Sequence, residues 1–208
     1  MTKPLKNFVW TSDFAYAIGL LATDGNVSTD RRHIHFTSKD KVQVETLRTI
    51  LCKDNPIARK ARGGEIEKKY FILQFGDVQF CRFLISIGIH PNKSKTISIV
   101  KIPKKYFFDF LRGCVDGDGN IHTFMHPESS QPQLRVRITS ASRSFLDWIN
   151  AQTQKHGIKG FIVRQRSCFV LHYAKRSSID LLNHLYYPGF RYCLERKYQK
   201  AKPFMALV

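Results

Sequence analysis

The pattern of apolar and polar positions predicts the same series of secondary-structure elements twice along the chain. In the first half, "TSDFAYAIGLLATDG" has apolar residues at helical spacing, and "HIHFT" alternates polar and apolar residues as a half-exposed strand does. The amphipathic helix "KVQVETLRTIL", a hairpin and the helix "VQFCRFLISIGI" follow. The second half repeats this order, from "KKYFFDFLRGCVDGDG" to "SSIDLLNHLYY". We therefore predict an α+β fold built from two αββαββα units.

Residues that recur at matching positions indicate that the two units are copies of each other. At an offset of 94, four residues of the first half recur in the second: Gly19, Asp24, Gly25 and Asn26 as Gly113, Asp118, Gly119 and Asn120. Farther along, "IHFTSKD" resembles "VRITSAS" at an offset of 102, and Lys93 corresponds to Lys197. The second half therefore has a loop eight residues longer, assigned to "HPESSQPQ". We predict two domains, 1–104 and 105–208, related by a pseudo-twofold axis within one monomer.

The charge of the chain indicates a polyanionic partner. The sequence has 34 Lys and Arg against 16 Asp and Glu, a formal net charge of +18. Residues 1–104 contain 18 basic and 9 acidic residues and residues 105–208 contain 16 and 7, so each half carries +9. A merely well-solvated basic surface does not require so large an excess. A binding surface for nucleic acid, spread over the whole molecule, is the prediction.

The location of the protein is predicted from its apolar runs and its cysteines. These runs are far shorter than the roughly 20 residues that span a bilayer, and "MTKPLKNFVW" lacks the apolar stretch of a signal peptide. The five cysteines are scattered and never form CxxC, so reduced, mostly buried thiols are expected. We expect no membrane partner and an intracellular, cytoplasmic protein, with an organelle as the alternative. The ends "MTKP" and "FMALV" lack intein residues, so a free-standing chain is expected.

Small residues in the first helix of each half predict that these two helices touch. Ala15, Gly19 and Thr23 share one helical face, and Gly113 and Gly117 share another. Small residues four apart let two helix backbones approach closely. The helices would then end side by side and bring together the acids that follow, Asp24 and Asp118. Two carboxylates at helix C-termini repel each other and the helix dipoles, so a divalent cation between them is predicted.

The segments "AIGLLATDG" (17–25) and "LRGCVDGDG" (111–119) resemble the two motif copies of single-chain LAGLIDADG homing endonucleases. The resemblance covers nearly the whole chain. It implies antiparallel sheets that form a DNA-binding saddle, with the two motif helices packed at its centre. The metal-binding acid of the family stands at the eighth motif position, here Asp24 and Asp118. The sixth position, often acidic in the family, is Ala22 in one copy and Asp116 in the other.

The resemblance also implies a reaction. Divalent ions, normally Mg²⁺, with Mn²⁺ or Ca²⁺ able to replace it in binding, would be held by the two aspartates and neighbouring backbone carbonyls, assigned to Thr23 and Gly117. Both strands of double-stranded DNA would be cut, leaving short 3′ overhangs. The family's basic residue near each metal matches Lys93 and Lys197. Its polar residue at a strand end matches Ser38 and Ser140, for which ordinary surface polarity is an equally good interpretation.

DNA contacts are predicted on the exposed faces of the sheets, where strand residues alternate sides. His33 and His35 are predicted to share one face, Arg135 and Arg137 another, and Arg164 and Arg166 a third. The full set of predicted contacts is His33, His35, Lys39, Arg59, Arg62, Arg135, Arg137, Arg164, Arg166 and His172. If each half covers about one turn, the target is roughly 20 bp long. Because the halves differ in sequence, the target is expected to be asymmetric.

A zinc site and two other functions are alternatives to this interpretation. His122 and His126 have a possible zinc-ligand spacing, but no Cys or Glu pair completes such a site, so histidines of a loop are expected. A maturase of the same fold would bind intron RNA to assist splicing, and a regulator would bind DNA without cutting it. Retention of both aspartates argues against a protein that only binds, because unpaired acids facing phosphates weaken binding. It does not separate an endonuclease from a bifunctional maturase.

Overall fold

A computed structural model of the chain describes residues 8–61, 66–125, 127 and 131–205. Its first half contains, in order, α1 (Ser12–Thr23), β1 (Gly25–Val27), β2 (His33–Ser38), α2 (Lys41–Ile50), β3 (Ile57–Lys60), β4 (Tyr70–Gly76) and α3 (Val78–Ser86). Its second half contains α4 (Phe107–Asp118), β5 (Gly119–Met125), β6 (Pro132–Ser140), α5 (Arg143–Gln154), β7 (Gly160–Gln165), β8 (Cys168–Tyr173), α6 (Lys175–Leu185) and α7 (Glu195–Ala201). The predicted duplication of an αββαββα unit is confirmed, and α7 is an addition to it.

Each half forms one four-stranded antiparallel sheet, and the two sheets have the same strand order. The orders are β1-β2-β4-β3 and β5-β6-β8-β7. One face of each sheet is buried under helices, as the alternating burial of Ile34, Phe36, Leu73 and Phe75 shows in the first sheet. The other face we call the open face. In the first sheet it carries Asn26, His33, His35, Thr37, Ala58, Lys60, Tyr70, Ile72 and Gln74.

The two motif helices, α1 and α4, pack against each other at their glycines, as predicted. The side chain of Thr11 caps α1 by accepting a hydrogen bond from the Phe14 amide at 3.0 Å. Gly19 and Gly113 face each other so closely that a Cβ on either one would overlap the backbone of the other helix. Each helix runs directly into the first strand of its own sheet. The ends of α1 and α4 therefore lie where the two sheets begin.

The C-terminal segment is anchored to α4 by a buried arginine. Arg112 has no exposed surface, and its guanidinium pairs with Asp109 at 2.9 Å. It also donates to the backbone carbonyls of Leu185 and Tyr192 at 2.8 and 2.9 Å. A buried charge is tolerated only when it is paired and hydrogen-bonded, and these three acceptors give each guanidinium nitrogen a partner. The anchor fixes the chain that leads into α7.

The remaining expectations about the chain as a whole concern the cysteines and the membrane. All five cysteines are free, as expected. Only Cys81 and Cys114 are buried, whereas Cys52 is exposed, so the expectation of mostly buried thiols is corrected. Within the part of the chain that the structure describes, no helix is long and apolar enough to cross a membrane.

Candidate active site

Asp24 and Asp118 lie together at the ends of the motif helices. Asp24 is the C-cap of α1, where its amide donates to the Leu20 carbonyl at 3.0 Å, and Asp118 is the last residue of α4. Both aspartates line one cleft of about 400 Å³. The cleft also contains Thr23 and Lys93. The packing of the two helices therefore places the paired acids at one site.

Gly117 makes room for the acid of the opposite helix. A Cβ at this position would lie 2.8 Å from Oδ2 of Asp24 and 2.1 Å from Oγ1 of Thr23. The Thr23 hydroxyl donates to the Leu20 carbonyl at 3.0 Å, which holds its side chain against α1. A side chain at position 117 would therefore make the side chains of Thr23 and Asp24 move. The glycine before Asp118 leaves the space that the acid of the other repeat occupies.

Lys93 is hydrogen-bonded to backbone carbonyls at the C-terminal end of α1. Its ammonium donates to the carbonyls of Gly25 at 2.6 Å and Thr23 at 3.2 Å. The last carbonyls of a helix have no partner within the helix, so a buried cation satisfies them and complements the helix dipole. Burial lowers the pKa of Lys93 to about 8, although the negative charges of Asp118 and Asp24 oppose this shift. The lysine is therefore a cation positioned by α1 close to both acids.

Lys197 occupies the equivalent position in the second half. From α7, its ammonium donates to the carbonyls of Gly119, Val115 and Asp116 at 2.6, 2.7 and 2.8 Å. The carbonyl of Gly117 is 3.4 Å away. Burial lowers the pKa of Lys197 to about 8, against the attraction of Asp116 and, more weakly, of Asp24 and Asp118. The structure thus places one lysine ammonium against the backbone carbonyls at the end of each motif helix, where the sequence predicted a basic residue.

Ser38 and Ser140 hold the turns that follow strands β2 and β6. The Ser38 hydroxyl donates to Oε1 of Gln43 at 2.7 Å and accepts from the Asp40 amide at 3.1 Å. The Ser140 hydroxyl accepts from the Ser142 amide at 3.1 Å. Such serine turns direct the chain into the next helix. These bonds favour the surface interpretation that the sequence left open, and Thr37, one residue before Ser38, lines the cleft.

Asp116, the acid at the sixth motif position, points into the core and away from the cleft. Its Oδ2 accepts hydrogen bonds from the Leu194 amide at 2.7 Å and the Tyr16 hydroxyl at 2.9 Å. Burial raises its pKa to about 6, although the charge of Lys197 and these hydrogen bonds act in the opposite direction. Asp116 therefore ties α4 to α1 and to the segment before α7.

This buried carboxyl should make stability depend on pH. Its pKa in the folded protein lies above the ordinary 3.8, so its stabilising effect is full below that pH and is lost as the pH rises to about 6. A shift of this size corresponds to about 3 kcal/mol. In Asp116→Asn the amide oxygen can still accept from Tyr16 and Leu194 but does not titrate. Urea unfolding at several pH values should show wild type losing about 2 kcal/mol relative to the variant between pH 4 and 7, because the unfolded carboxyl is already partly ionised at pH 4.

The exposed acid Asp147 on α5 provides the control for this measurement. Its side chain is 54% exposed and pairs with Arg143 across one helical turn at 3.4 Å. Asp147→Asn should leave the pH dependence of unfolding as it is in wild type, because an exposed ion pair contributes little. Parallel stability curves for wild type and Asp116→Asn would contradict the proposed cost of ionising Asp116.

Five of the predicted DNA-contact residues lie on the open faces of the sheets. They are His33 and His35 on β2, Arg135 and Arg137 on β6, and His172 on β8. Lys39 directly follows β2, and its ammonium stands 5.3 Å from the centre of the Tyr70 ring. Arg62 lies outside the described residues, as does His126 of the rejected zinc pair. His122 is on the open face of β5, opposite Arg135.

Three predicted DNA contacts, Arg59, Arg164 and Arg166, do not lie on the open faces of the sheets. Arg59 pairs with Phe71 and shares the side of Ile57, whose face packs on the core. Arg164 likewise pairs with Phe169, which also packs on the core. Because successive residues point to opposite faces, neither arginine belongs to an open face. Arg166 lies in the turn after β7, with a φ of 47°, rather than on a strand.

The open faces also carry residues that the sequence analysis missed. Lys60, Tyr70 and Asn26 line the cleft with the two acids. Gln74 stands opposite His35, and Phe161 opposite His172. Asn26 and Asn120 recur at matching positions of the two repeats, but this match alone predicts no role for them. For Gln74, the buried Leu73 and Phe75 on either side would have shown which face it occupies.

Comparisons with known proteins identify the fold. No protein-family model matches this sequence, and no curated protein matches it. Solved structures do match. The homing endonuclease I-WcaI bound to its DNA recognition sequence superposes with a TM-score of 0.63 at 12% identity, over 92% of this chain and 88% of that one. The N-terminal LAGLIDADG domain of DUF199/WhiA superposes with a TM-score of 0.58 at 16% identity, over 95% of this chain and 90% of that one. The chain has the LAGLIDADG fold.

A third match, I-DmoI in complex with DNA and Mn, has a TM-score of 0.57 at 13% identity and covers 86% of this chain and 98% of that one. At these identities the comparisons establish the architecture. Within the LAGLIDADG fold of this chain, the paired acids stand at the ends of the two central helices, in a cleft that residues of the first open face also line. The activity therefore has to be argued from this chain's own residues.

The residues of this LAGLIDADG cleft fit a hard divalent cation. Mg²⁺ is usually held by one or two carboxylates together with water and substrate phosphate, and Asp24 and Asp118 supply the carboxylates. The carbonyls of Thr23 and Gly117, which are predicted metal ligands, each lie near a lysine ammonium, at 3.2 and 3.4 Å. A carbonyl oxygen has two lone pairs, so a hydrogen bond from lysine leaves one for a metal ion. Across the described ranges, no cluster of three or more His, Cys, Asp and Glu side chains is arranged to hold a metal. Water and substrate oxygens would therefore have to complete the coordination.

Proposed function

We propose that the chain is a site-specific DNA endonuclease that hydrolyses both strands of a long, asymmetric duplex with a divalent metal ion and leaves short 3′ overhangs. It would act as a monomeric homing enzyme of the mobile-intron type. The observation that carries this proposal is the meeting of Asp24 and Asp118 in one cleft, each with a buried lysine beneath it. A protein that only binds nucleic acid has no evident use for paired acids at the centre of a basic molecule.

The charge and the open faces support double-stranded DNA as the substrate. Each half of the chain carries +9, and the open faces present histidines, arginines and amides on antiparallel strands. The major groove admits β-ribbons, and these side chains match the hydrogen-bonding edges of bases. The structural neighbour I-WcaI is bound to its DNA recognition sequence. We infer that each open face covers one half of the target.

The proposed mechanism gives the two aspartates the metal-binding role. When bound, a divalent ion supplies a Lewis acid for a phosphoryl oxygen and lowers the pKa of a bound water. The chain's own contribution is positioning. Gly117 lets Asp24 rest against α4, and the helix packing fixes both carboxylates before substrate arrives. Preorganised groups of this kind need no rearrangement during the reaction.

Lys93 and Lys197 have a positioning and electrostatic role in this proposal. Their ammonium groups hold the carbonyls on either side of Asp24 and Asp118, so they fix the backbone from which each acid projects. Their charge also reduces the repulsion between the two carboxylates and the DNA phosphates. The match of Ser38 and Ser140 to the family's polar residue stays a prediction, and their hydroxyls already support turns.

The proposed activity is tested by incubating the protein with Mg²⁺ and a randomised duplex library and sequencing the cut ends. We expect recurrent pairs of cuts on the two strands, offset so that each product carries a short 3′ overhang, within one asymmetric motif. Mn²⁺ should also support cutting, and Ca²⁺ should support binding. Selective binding without recurrent ends would favour a non-cleaving regulator, and selective binding of intron RNA over duplex DNA would favour a maturase.

DNA binding should weaken steeply as salt rises. Each phosphate neutralised by a basic residue releases counterions, so a protein with 6 to 10 phosphate contacts loses roughly 10³ to 10⁵ in affinity between 50 and 200 mM salt. Fluorescence anisotropy titrations with a labelled duplex measure this slope. Lys60→Gln, on the open face, should reduce the slope by about 1, whereas Lys155→Gln, beyond the end of α5, should leave it unchanged. A flat response to salt would indicate a different partner.

A further inference from the structure

The open face of the second sheet contains a row of four side chains that crosses all four strands. Asn120 on β5 stands opposite Arg137 on β6, which stands opposite His172 on β8, which stands opposite Phe161 on β7. We call these four residues the Arg137 row. It begins two residues after Asp118 in the chain. The row therefore lies at the end of the sheet nearest to the paired acids.

Two polar atoms of the Arg137 row lack a hydrogen-bond partner among the described residues, although they are buried. They are Nε of Arg137 and Nε2 of His172, and the neighbouring Nδ1 of His122 on the same face is in the same state. Leaving a buried donor or acceptor unpaired is unfavourable, so each such atom in a folded protein needs an explanation, such as a functional role. Three of these atoms on one open face favour a functional role for this face over a purely structural one.

Arg137 is also more buried than its neighbour Arg135. Arg137 is half-buried, whereas Arg135 is exposed and stands over the Phe124 ring at 4.8 Å. His172, the cross-strand neighbour of Arg137, stacks on Phe161 with a centroid distance of 5.2 Å and an interplanar angle of 8°. A half-buried guanidinium has fewer positions available to it than an exposed one, and its planar fork matches the pair of acceptors that guanine offers in the major groove, O6 and N7.

The duplication supplies an internal comparison. Asn26 stands opposite His35 and Asn120 opposite Arg137, with the same offset from Asp24 and from Asp118. His35 and Arg137 are therefore equivalent positions. In the first half the ring of His35 is already hydrogen-bonded, through Nε2 to the Ser28 hydroxyl at 3.2 Å. The two equivalent positions thus present different chemistry to DNA.

We propose that Arg137 is the principal base-reading residue of the second half, taking O6 and N7 of one guanine in the major groove, and that His35 faces the base pair at the mirrored position without requiring guanine. This inference rests on the proposed function, since it assumes that the open faces bind DNA. It predicts that the target departs from palindromic symmetry at two positions equidistant from its centre. One of these carries guanine, and the other does not require it.

The test is a binding selection from randomised duplexes in EDTA, so that cleavage plays no part. Wild type should enrich an asymmetric motif with a guanine in the inner part of one half. Arg137→His should reduce the preference for that guanine by about 10- to 100-fold. His35→Arg should create a guanine preference at the mirrored position, and the double exchange should move the guanine from one half-site to the other. Because His35→Arg gains a preference, a loss of folding cannot imitate it.

Arg135→His is the matched control, because Arg135 lies on the same strand but is exposed. It should weaken binding to all sequences by a similar factor and leave the guanine in place. If Arg137→His behaved in this way too, and His35→Arg created no new preference, Arg137 would be a phosphate contact and the inference would be wrong while DNA binding stood. If wild type enriched no motif at all, the proposed function itself would fail.

Discussion

Replacing Asp24 or Asp118 with asparagine is expected to abolish double-strand cleavage while leaving DNA binding intact. Each substitution keeps the shape of the side chain but removes one of the two negative charges proposed to hold the metal. Loss of an electrostatic group aimed at the reacting phosphate typically slows a reaction about 10²- to 10³-fold. The double variant, which lacks both metal-binding charges, should cut more slowly still. DNA affinity should stay equal or rise, because a carboxylate that repels phosphate is gone.

Cleavage of a library-selected duplex in Mg²⁺ and equilibrium binding in EDTA measure the two quantities separately. Asp147→Asn, an exposed acid on α5, is the control for the charge change and should cut at the wild-type rate. Asp116→Asn is a second control within the motif, because its carboxyl points into the core. It should alter stability far more than the cleavage rate of the folded protein. Wild-type cleavage by Asp24→Asn or Asp118→Asn would remove these residues from the active site.

The parts of the fold that depend on local periodicity could be predicted from the sequence. Helical and alternating patterns are properties of a few consecutive residues, so the αββαββα order was visible in both halves. The meeting of the two acids could be predicted as well, because Gly19 and Gly113 fix how α1 and α4 pack and Asp24 and Asp118 follow at the same distance. Two short repeats thus contained enough information to place the centre of the site.

For β3 and β7, the face of the sheet that each residue occupies could not be predicted in the same way. Each strand has apolar and basic residues whose alternation is short or broken, and the partner strand decides which side faces the core. Arg59 opposite Phe71 and Arg164 opposite Phe169 therefore lie on the core side of their strands, although the DNA contacts are predicted on the exposed faces. Lys60 and Phe161, which do lie on open faces, went unassigned for the same reason.

Long-range hydrogen bonds were the second kind of feature hidden from the sequence. Asp116 matched a motif position that is often acidic, but its partners Tyr16 and Leu194 are 100 and 78 residues away. Lys197 was predicted near a metal site, yet its bonds to four carbonyls around the end of α4 depend on how α7 docks. Contacts of this kind follow from packing of the whole molecule, which local patterns do not encode.

Gly19→Ala and Gly113→Ala are expected to destabilise the whole protein severely, although alanine normally stabilises a helix relative to glycine by about 1 kcal/mol. A Cβ at Gly19 would lie 2.0 Å from the Phe110 carbonyl oxygen and 2.9 Å from the Gly113 Cα. A Cβ at Gly113 would lie 2.2 Å from the Tyr16 carbonyl oxygen. These neighbours are backbone atoms that cannot rotate away, so the helices must separate. Overpacking typically costs about 1 to 3 kcal/mol, and rigid neighbours place these sites at or above the upper end.

Gly76→Ala is the matched control, because a Cβ there would meet its nearest neighbour, the His33 ring, at an ordinary 3.6 Å. Thermal and urea melts should show a near-normal Gly76→Ala protein and strongly destabilised Gly19→Ala and Gly113→Ala proteins, with leucine at either position preventing folding. Separation of α1 from α4 also moves Asp24 away from Asp118, so any folded alanine variant should bind Mg²⁺ or Ca²⁺ less tightly in calorimetric titrations. The two effects have one cause and should appear together. A Gly19→Ala protein that melted like wild type would show that close helix contact does not set the spacing of the paired acids.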